Sequence, residues 1–365
     1  MRIDFFESVF YFEQMVEFVD KQILNDYNYS MKYVSCLLLE SGMAFGRNDV
    51  KPCTPGYKIH WAEEYYGGPF DADKYLELRN KYVDMMKRGD IPEQCVGCSN
   101  LEEKDWPEEP GVEFIVIGNE TKCSCNCYYC WFAEKKDYYN KFRSYDVMPI
   151  LTALKEKNLL RHTTFDVVGG ECTEYEEGKL QAIVDFVMEN DYWLHFFSSG
   201  IFYSEIIAEA MRKSKANIVV SVDSGTKETY EKIKRVKTFD KVWENMAKYA
   251  AAGVQDDFCK KGYVILKYII IPGVNDNFDE FKEFARRAKE SGCKWIRIAV
   301  EYNWWNENSH NPMPKNLFAM LDLIETYRKD FIIDYIENAI YLWQKRAKEE
   351  PEFTGVNPCI DMVGC

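Results

Sequence analysis

Val112-Glu113-Phe114-Ile115-Val116-Ile117 runs through Gly118-Asn119-Glu120-Thr121-Lys122 into Cys123-Ser124-Cys125-Asn126-Cys127-Tyr128-Tyr129-Cys130. The first segment is short, apolar and β-branched, as a buried strand is. Glycine and asparagine then turn the chain, and a thiol-rich loop follows. From Val112 onward this pattern repeats. Similar runs recur at Phe165–Val168, Trp193–Phe197, Ile218–Val222, Val264–Ile271 and Trp295–Val300. Between them Val147–Lys157, Lys179–Asn190, Tyr203–Ser214, Lys227–Gly253 and Asp279–Gly292 carry apolar residues at helical spacing. Strands alternating with helices imply parallel pairing through right-handed crossovers. Six such repeats fall short of the eight of a closed barrel. The expected fold class is therefore α/β, a partial (βα)6 TIM-like barrel.

In such folds the loops after the strands form the functional face. The cysteine loop follows the first strand, Gly169-Gly170-Glu171 the second, Ser198-Ser199-Gly200 the third and Asp223-Ser224-Gly225 the fourth. All should meet on one rim. Thiolates are soft ligands, and a short loop can aim three sulfurs at three irons of a four-iron cluster, leaving one iron open to a small chelator. Four cysteines so close also suffice for tetrahedral zinc, although zinc ligands more often come as two separated pairs.

The spacing Cys123-x3-Cys127-x2-Cys130 ahead of an α/β barrel resembles the radical S-adenosylmethionine (SAM) superfamily over roughly Val112–Glu301. The resemblance implies a [4Fe–4S] cluster on Cys123, Cys127 and Cys130, with Cys125 a bystander. It further implies that S-adenosylmethionine chelates the fourth iron and that Tyr129 lies near its adenine. Gly169, Gly170 and Glu171 resemble the motif that contacts the methionine amino group, with Cys172 where the family often has proline. Ser221 and Asp223 resemble the ribose-binding strand, and Arg235 is a candidate for the cofactor's carboxylate. Ile271 and Gly273 match an adenine-contacting motif from which Ile269 and Asp276 depart. Ser198 and Ser199 are further candidates for cofactor hydrogen bonds, with Ser199 retained as a contact. Reductive cleavage would release a 5′-deoxyadenosyl radical that takes hydrogen from the substrate, fed by a one-electron donor such as a flavodoxin or ferredoxin. No residue is singled out as catalytic. Thr226–Arg235 is similar to members with SPASM or twitch auxiliary clusters. Their substrates suggest a ribosomally made peptide, with a small carbohydrate or amino-acid-derived metabolite as the alternative. A non-catalytic iron–sulfur carrier or scaffold would need neither Glu171 nor Asp223.

Outward from the barrel, residues 1–110 are expected to form a helical, cysteine-containing extension. They include an amphipathic helix over residues 1–28, a helix near Asp73–Arg88 and a linker at Glu102–Pro110. Cys36, Cys53, Cys95 and Cys98 lie here, where auxiliary clusters of the resembled members do not, and three readings stay open: a second [4Fe–4S] cluster, a structural zinc site, or unligated thiols. The barrel is expected over residues 111–305 and a tail of one or two helices over residues 306–365. Glu301–His310, with Trp304 and Trp305, suits a substrate-binding loop above the barrel. Cys172, Cys259 and Cys293 read as small buried residues, and His162 and His195 as ordinary structural ones. Cys359 and Cys365 end the chain.

With 365 residues, 47% hydrophobic, the chain has enough apolar matter for this fold. A net charge of −14 argues against a nucleic-acid partner, which needs a basic surface. No apolar run is long enough to span a membrane, and the N-terminus lacks a secretory pattern. Thirteen clustered cysteines fit metal ligation in a reducing, cytoplasmic compartment.

Overall fold

The computed structural model describes residues 33–53, 63–96, 98, 100–104, 111–130, 133, 144–255, 262–336 and 338–350. The expected helix over residues 1–28, the end of the linker at 105–110, and Cys259, Cys359 and Cys365 lie outside these residues. Along the chain come β1 (Val34–Cys36), α1 (Leu37–Ser41), β2 (Gly42–Phe45), β3 (Asp49–Lys51), β4 (Glu63–Glu64), α2 (Ala72–Lys87) and β5 (Leu101–Glu103). The repeats follow as β6 (Val112–Ile117), α3 (Met148–Glu156), β7 (Leu160–Val167), α4 (Glu177–Glu189), β8 (Trp193–Ser198), α5 (Glu205–Arg212) and β9 (Ala216–Ser221). Next are α6 (Lys227–Lys234), α7 (Phe239–Ala252), β10 (Val264–Ile270), α8 (Phe278–Glu290) and β11 (Trp295–Val300). The chain closes with α9 (Tyr302–Asn308), α10 (Lys315–Glu325), β12 (Ile332–Tyr335) and α11 (Asn338–Glu349). All six expected strands are present, and α/β alternation builds the fold.

Two compact units divide the chain. The first comprises Met1–Thr121, Asn140–Gly169 and Gln181–Leu194. Its strands run β7-β6-β2-β3-β4, with β2, β6 and β7 parallel and the last two pairings antiparallel. Strands β1 and β5 form a separate antiparallel pair. The N-terminal region is thus more than helix and thiols. A Cβ at Gly42 would stand 2.3 Å from the Phe114 ring, so β2 meets β6 only because that residue has no side chain. Cys36, Leu38, Leu39, Val83, Met86, Cys95 and Phe114 form a common buried cluster beneath α2.

The second unit comprises Lys122–Tyr139, Gly170–Leu180 and His195–Cys365. Its strands are ordered β8-β9-β10-β11-β12, an open arrangement, and pairing from β9 to β12 is parallel throughout. Residues of successive parity face opposite sides. One side packs on helices: Tyr268 meets the rings of Phe281 and Phe284 edge-on at 5.2 and 4.9 Å. On the other, Val219, Tyr263, Ile265 and Trp295 cluster with Phe197 and Ile332. Register then places Ser221, Lys267, Arg297 and Asp334 side by side on this second face. Buried Asp334 accepts from Arg297 Nε at 2.7 Å and Trp295 Nε1 at 2.9 Å, so its charge is compensated.

Two expectations change. Lys227–Gly253 is two helices, because Arg235 adopts the left-handed conformation (φ 57°) and ends α6. The C-terminal tail contains a strand between its helices: Ile332-Ile333-Asp334-Tyr335 pairs in parallel with β11. Among the described residues, no helix is long and apolar enough to cross a membrane.

Candidate functional site

The thiol loop is built onto a helix end. The last carbonyls of any α-helix lack partners within it. Here Asn126 N–H donates to Lys234 O at 3.2 Å and Tyr128 N–H to Ile233 O at 2.8 Å, so the loop caps α6. A tight turn follows, in which Cys130 N–H donates to Cys127 O at 3.1 Å. On the other side Ser124 N–H donates to Glu174 Oε1 at 2.7 Å, and Glu171 N–H to Lys122 O at 2.7 Å. Cys123, Cys127 and Cys130 are half-buried, whereas Cys125 is buried between the first two.

The Cys125 thiol lies close enough to the Cys123 and Cys127 sulfurs to share its proton with either, and their proximity together with burial keeps that proton on Cys125. Its donation lowers the Cys123 thiol and, with the Lys234 ammonium nearby, outweighs burial to bring Cys127 down to about 7. A metal-bound sulfur must be thiolate, so the donor set fits an iron–sulfur group. Among the described residues, no three His, Cys, Asp or Glu side chains stand ready to hold a single ion. Sulfurs that each take a different iron of a cube need not converge on one point.

Glu171 is 1% exposed and gathers donors. Oε1 accepts from Ser198 Oγ and Thr173 Oγ1, both at 2.7 Å, and from Thr173 N–H at 3.2 Å. Oε2 accepts from Ser199 N–H at 2.6 Å and Ser199 Oγ at 2.5 Å. Every one of these donors is neutral, and among the described residues Glu171 has no ion pair. Cys172, fully buried beside it at 3.8 Å, is held in the thiol form by burial and by the Glu171 charge. Gly170 turns with φ 55°. Gly169 (φ 79°) belongs to the first unit, where a Cβ would come within 2.9 Å of the Gly118 and Glu120 carbonyl oxygens.

Asp223 is fully buried, with φ 61°. Its Oδ2 accepts from Lys234 Nζ and Tyr129 OH, each at 2.5 Å, and its Oδ1 from Ile269 N–H at 2.9 Å. Lys234 Nζ also donates to Tyr129 OH at 2.7 Å. Burial disfavours the Lys234 ammonium, but Asp223, Tyr129 and Cys127 together outweigh it and raise that group well above its usual value. Burial, then Asp223, raises the Tyr129 phenol likewise. Ser221 is half-buried at the end of β9. Arg235, expected near a carboxylate, is the C-cap of α6 through its backbone N–H to Glu231 O, and its guanidinium lies 5.9 Å from the Tyr128 ring centre.

Sequence reasoning overlooked Lys234, Asn275 and Glu280. Asn275 donates to Asp223 O at 2.8 Å and Ile269 O at 2.7 Å, and accepts from Ile271 N–H at 2.6 Å, holding Ile271 against the strand ends. Glu280 accepts from Gly225 and Thr226 N–H at 2.7 and 2.9 Å and from the Thr226 and Thr229 hydroxyls at 2.9 and 3.1 Å. A Cβ on Gly225 would lie 2.2 Å from Glu280 O, so only glycine fits that approach. Asn275→Ala strands three buried backbone groups. We expect a loss of about 3 kcal/mol, read as a lower urea midpoint at unchanged slope.

Within Glu301–His310, Tyr302–Asn308 forms α9, capped by Glu301, whose own N–H donates to Ile270 O at 2.9 Å. Trp305 stacks on Tyr341 at 6.3 Å, and Tyr302 is exposed. In the first unit Cys36 and Cys95 share one apolar cluster on which Cys53 packs. Cys98 N–H donates to Cys95 O at 3.0 Å. Burial pushes the Cys36 thiol up to about 11, with smaller contributions from Cys98 and Cys95.

Residues 121–288 match the family model of the Radical SAM superfamily. No curated protein sequence matches the chain. Among solved structures, Streptococcus suis SuiB bound to S-adenosylmethionine is similar at 12% identity and a TM-score of 0.49, over 77% of this chain and 56% of that one. SuiB bound to precursor peptide SuiA aligns at 13% identity and 0.47, over 74% and 56%. The anSMEcpe structure with bound AdoMet and a Cp18Cys peptide aligns at 15% identity and 0.46, over 61% and 63%. The chain thus spans little more than half the length of SuiB.

Proposed function

We propose that this chain, whose residues 121–288 match the Radical SAM superfamily model, is a radical SAM enzyme, that Cys123, Cys127 and Cys130 carry its [4Fe–4S] cluster, and that Glu171 receives the ammonium group of S-adenosylmethionine. When bound, these groups supply reductive cleavage of the sulfonium and a 5′-deoxyadenosyl radical that takes hydrogen from the substrate. The carrying observation is Glu171 itself. Among the described residues this buried carboxylate takes neutral donors and no cation, so its hydrogen bonds are satisfied but its charge is uncompensated. A ligand ammonium would complete it, and the thiol loop lies beside it through the Glu171 N–H bond to Lys122. Ser199 holds the acid, Ile271 offers an apolar wall, and Gly170 keeps a side chain out of the approach. Tyr129, Ser221 and Arg235 complete the proposed cofactor contacts.

The substrate we propose is a ribosomally made peptide. Tyr341, stacked on buried Trp305, and Tyr302 at the start of α9 are both exposed, and exposed aromatics suit an extended chain better than an enclosed metabolite. We assign Cys36, Cys53, Cys95 and Cys98 to an auxiliary cluster of the same kind, a role supported by their grouping in one unit. A flavodoxin or ferredoxin would deliver electrons, in a cytoplasmic setting consistent with the free thiols among the described residues.

The test is anaerobic reconstitution with iron and sulfide, then dithionite and S-adenosylmethionine. 5′-Deoxyadenosine should accumulate, and deuterium from a labelled peptide encoded beside the gene should appear in it. Label arriving only from a sugar or amino acid would replace the peptide, and a loaded cluster without any 5′-deoxyadenosine would end the proposal.

A further inference from the structure

The hydrogen bonds around Asp223 point away from a ribose contact. An ionised carboxylate offers about four lone-pair sites. Lys234 and Tyr129 take two on Oδ2, the Ile269 amide takes one on Oδ1, and the group is sealed from solvent. Asn275 holds the Asp223 carbonyl as well, fixing a left-handed backbone that an aspartate adopts only at a cost. This carboxylate is a counter-ion in place.

The cation it holds is placed with equal care. Lys234 has side-chain exposure of 2%, and its ammonium lies 5.2 Å from the centre of the Tyr129 ring, between Cys127 and Cys130 in sequence. The same residue's carbonyl receives Asn126 N–H, so one position both docks the thiol loop and carries a buried positive charge. Lys234 Nζ donates to the Tyr129 hydroxyl of the thiol loop at 2.7 Å as well as to Asp223, so the pair is neutral in sum but turns its cation toward the loop. Charges interact strongly where water is excluded. Reduction adds negative charge to a cluster, which a nearby cation favours, and net charge is one determinant of such potentials.

We propose that Lys234 is the positioning charge of the thiol loop: held by Asp223 and Tyr129, it raises the reduction potential of the cluster on Cys123, Cys127 and Cys130. The inference rests on the reading of those thiols as cluster ligands. Its test is an EPR-monitored redox titration of reconstituted protein without S-adenosylmethionine, which needs no turnover. Lys234→Met should make the cluster about tenfold harder to reduce, about 59 mV for one electron. Asp223→Asn should shift it the opposite way. The double variant Asp223→Asn/Lys234→Met removes both charges with little change of shape. It should fall between Lys234→Met and the parent, and it supplies the comparison should the single variant fail to fold. Equal midpoints at equal iron content would overturn the assignment alone. A double variant with the parent's midpoint but weakened S-adenosylmethionine binding would return Asp223 to the ribose and also overturn it. Parent protein that takes up no iron would defeat the cluster reading and this inference together.

Discussion

Cys127→Ala is expected to leave iron near background after reconstitution and to cut 5′-deoxyadenosine formation by at least about a thousandfold, some 4 kcal/mol of barrier. Cys127 is prepared for ligation, drawn down to about 7 by the Cys125 donor and the Lys234 ammonium. Alanine there also removes the second sulfur to which Cys125 donates. Cys125→Ala makes the informative companion. If Cys125 only orients its neighbours, iron should still load, with affinity reduced about tenfold to a hundredfold as when an outer partner of a metal ligand is lost. Colorimetric iron and sulfide on both variants separates the roles. Full iron and turnover in Cys127→Ala would refute the ligand set.

Glu171→Gln should weaken S-adenosylmethionine binding about a hundredfold, about 2.7 kcal/mol, by equilibrium dialysis. The amide keeps the volume but removes the charge that awaits an ammonium. It also turns an NH2 group toward donors that need an acceptor: the Ser199 amide and hydroxyl on one side, or Ser198 and Thr173 on the other. One of those sets is left unsatisfied whichever way the amide turns. Binding equal to the parent's would show that Glu171 serves only to order its loop.

Much of the fold could be read beforehand because β6 to β11 are long, β-branched and separated by helical periodicity, signals that depend on little but burial. Strand β12 escaped because it is four residues long, lies between two helices and carries a central aspartate. Asp334 belongs in a strand only because Arg297 and Trp295 stand opposite it, and no local pattern announces that. The same reason explains Lys234. Within Lys232-Ile233-Lys234-Arg235 a lysine looks like solvated surface, and neighbouring helical residues point about 100° apart, so periodicity alone did not choose between Lys234 and Arg235. The partner eleven positions back, Asp223, decided it. Motif positions were legible through resemblance; the charges that hold them were legible only through contact.

Helix α6 hangs between two anchorages. At its start, Gly225, Thr226 and Thr229 are tied to the one carboxylate of Glu280 on α8; at its end, the amides of Asn126 and Tyr128 are tied to its terminal carbonyls. Eight residues make about two turns, a strut too short to absorb slack. The sulfurs therefore travel as cargo: loosening α8 at one end would carry them sideways at the other, without a single thiol having been touched.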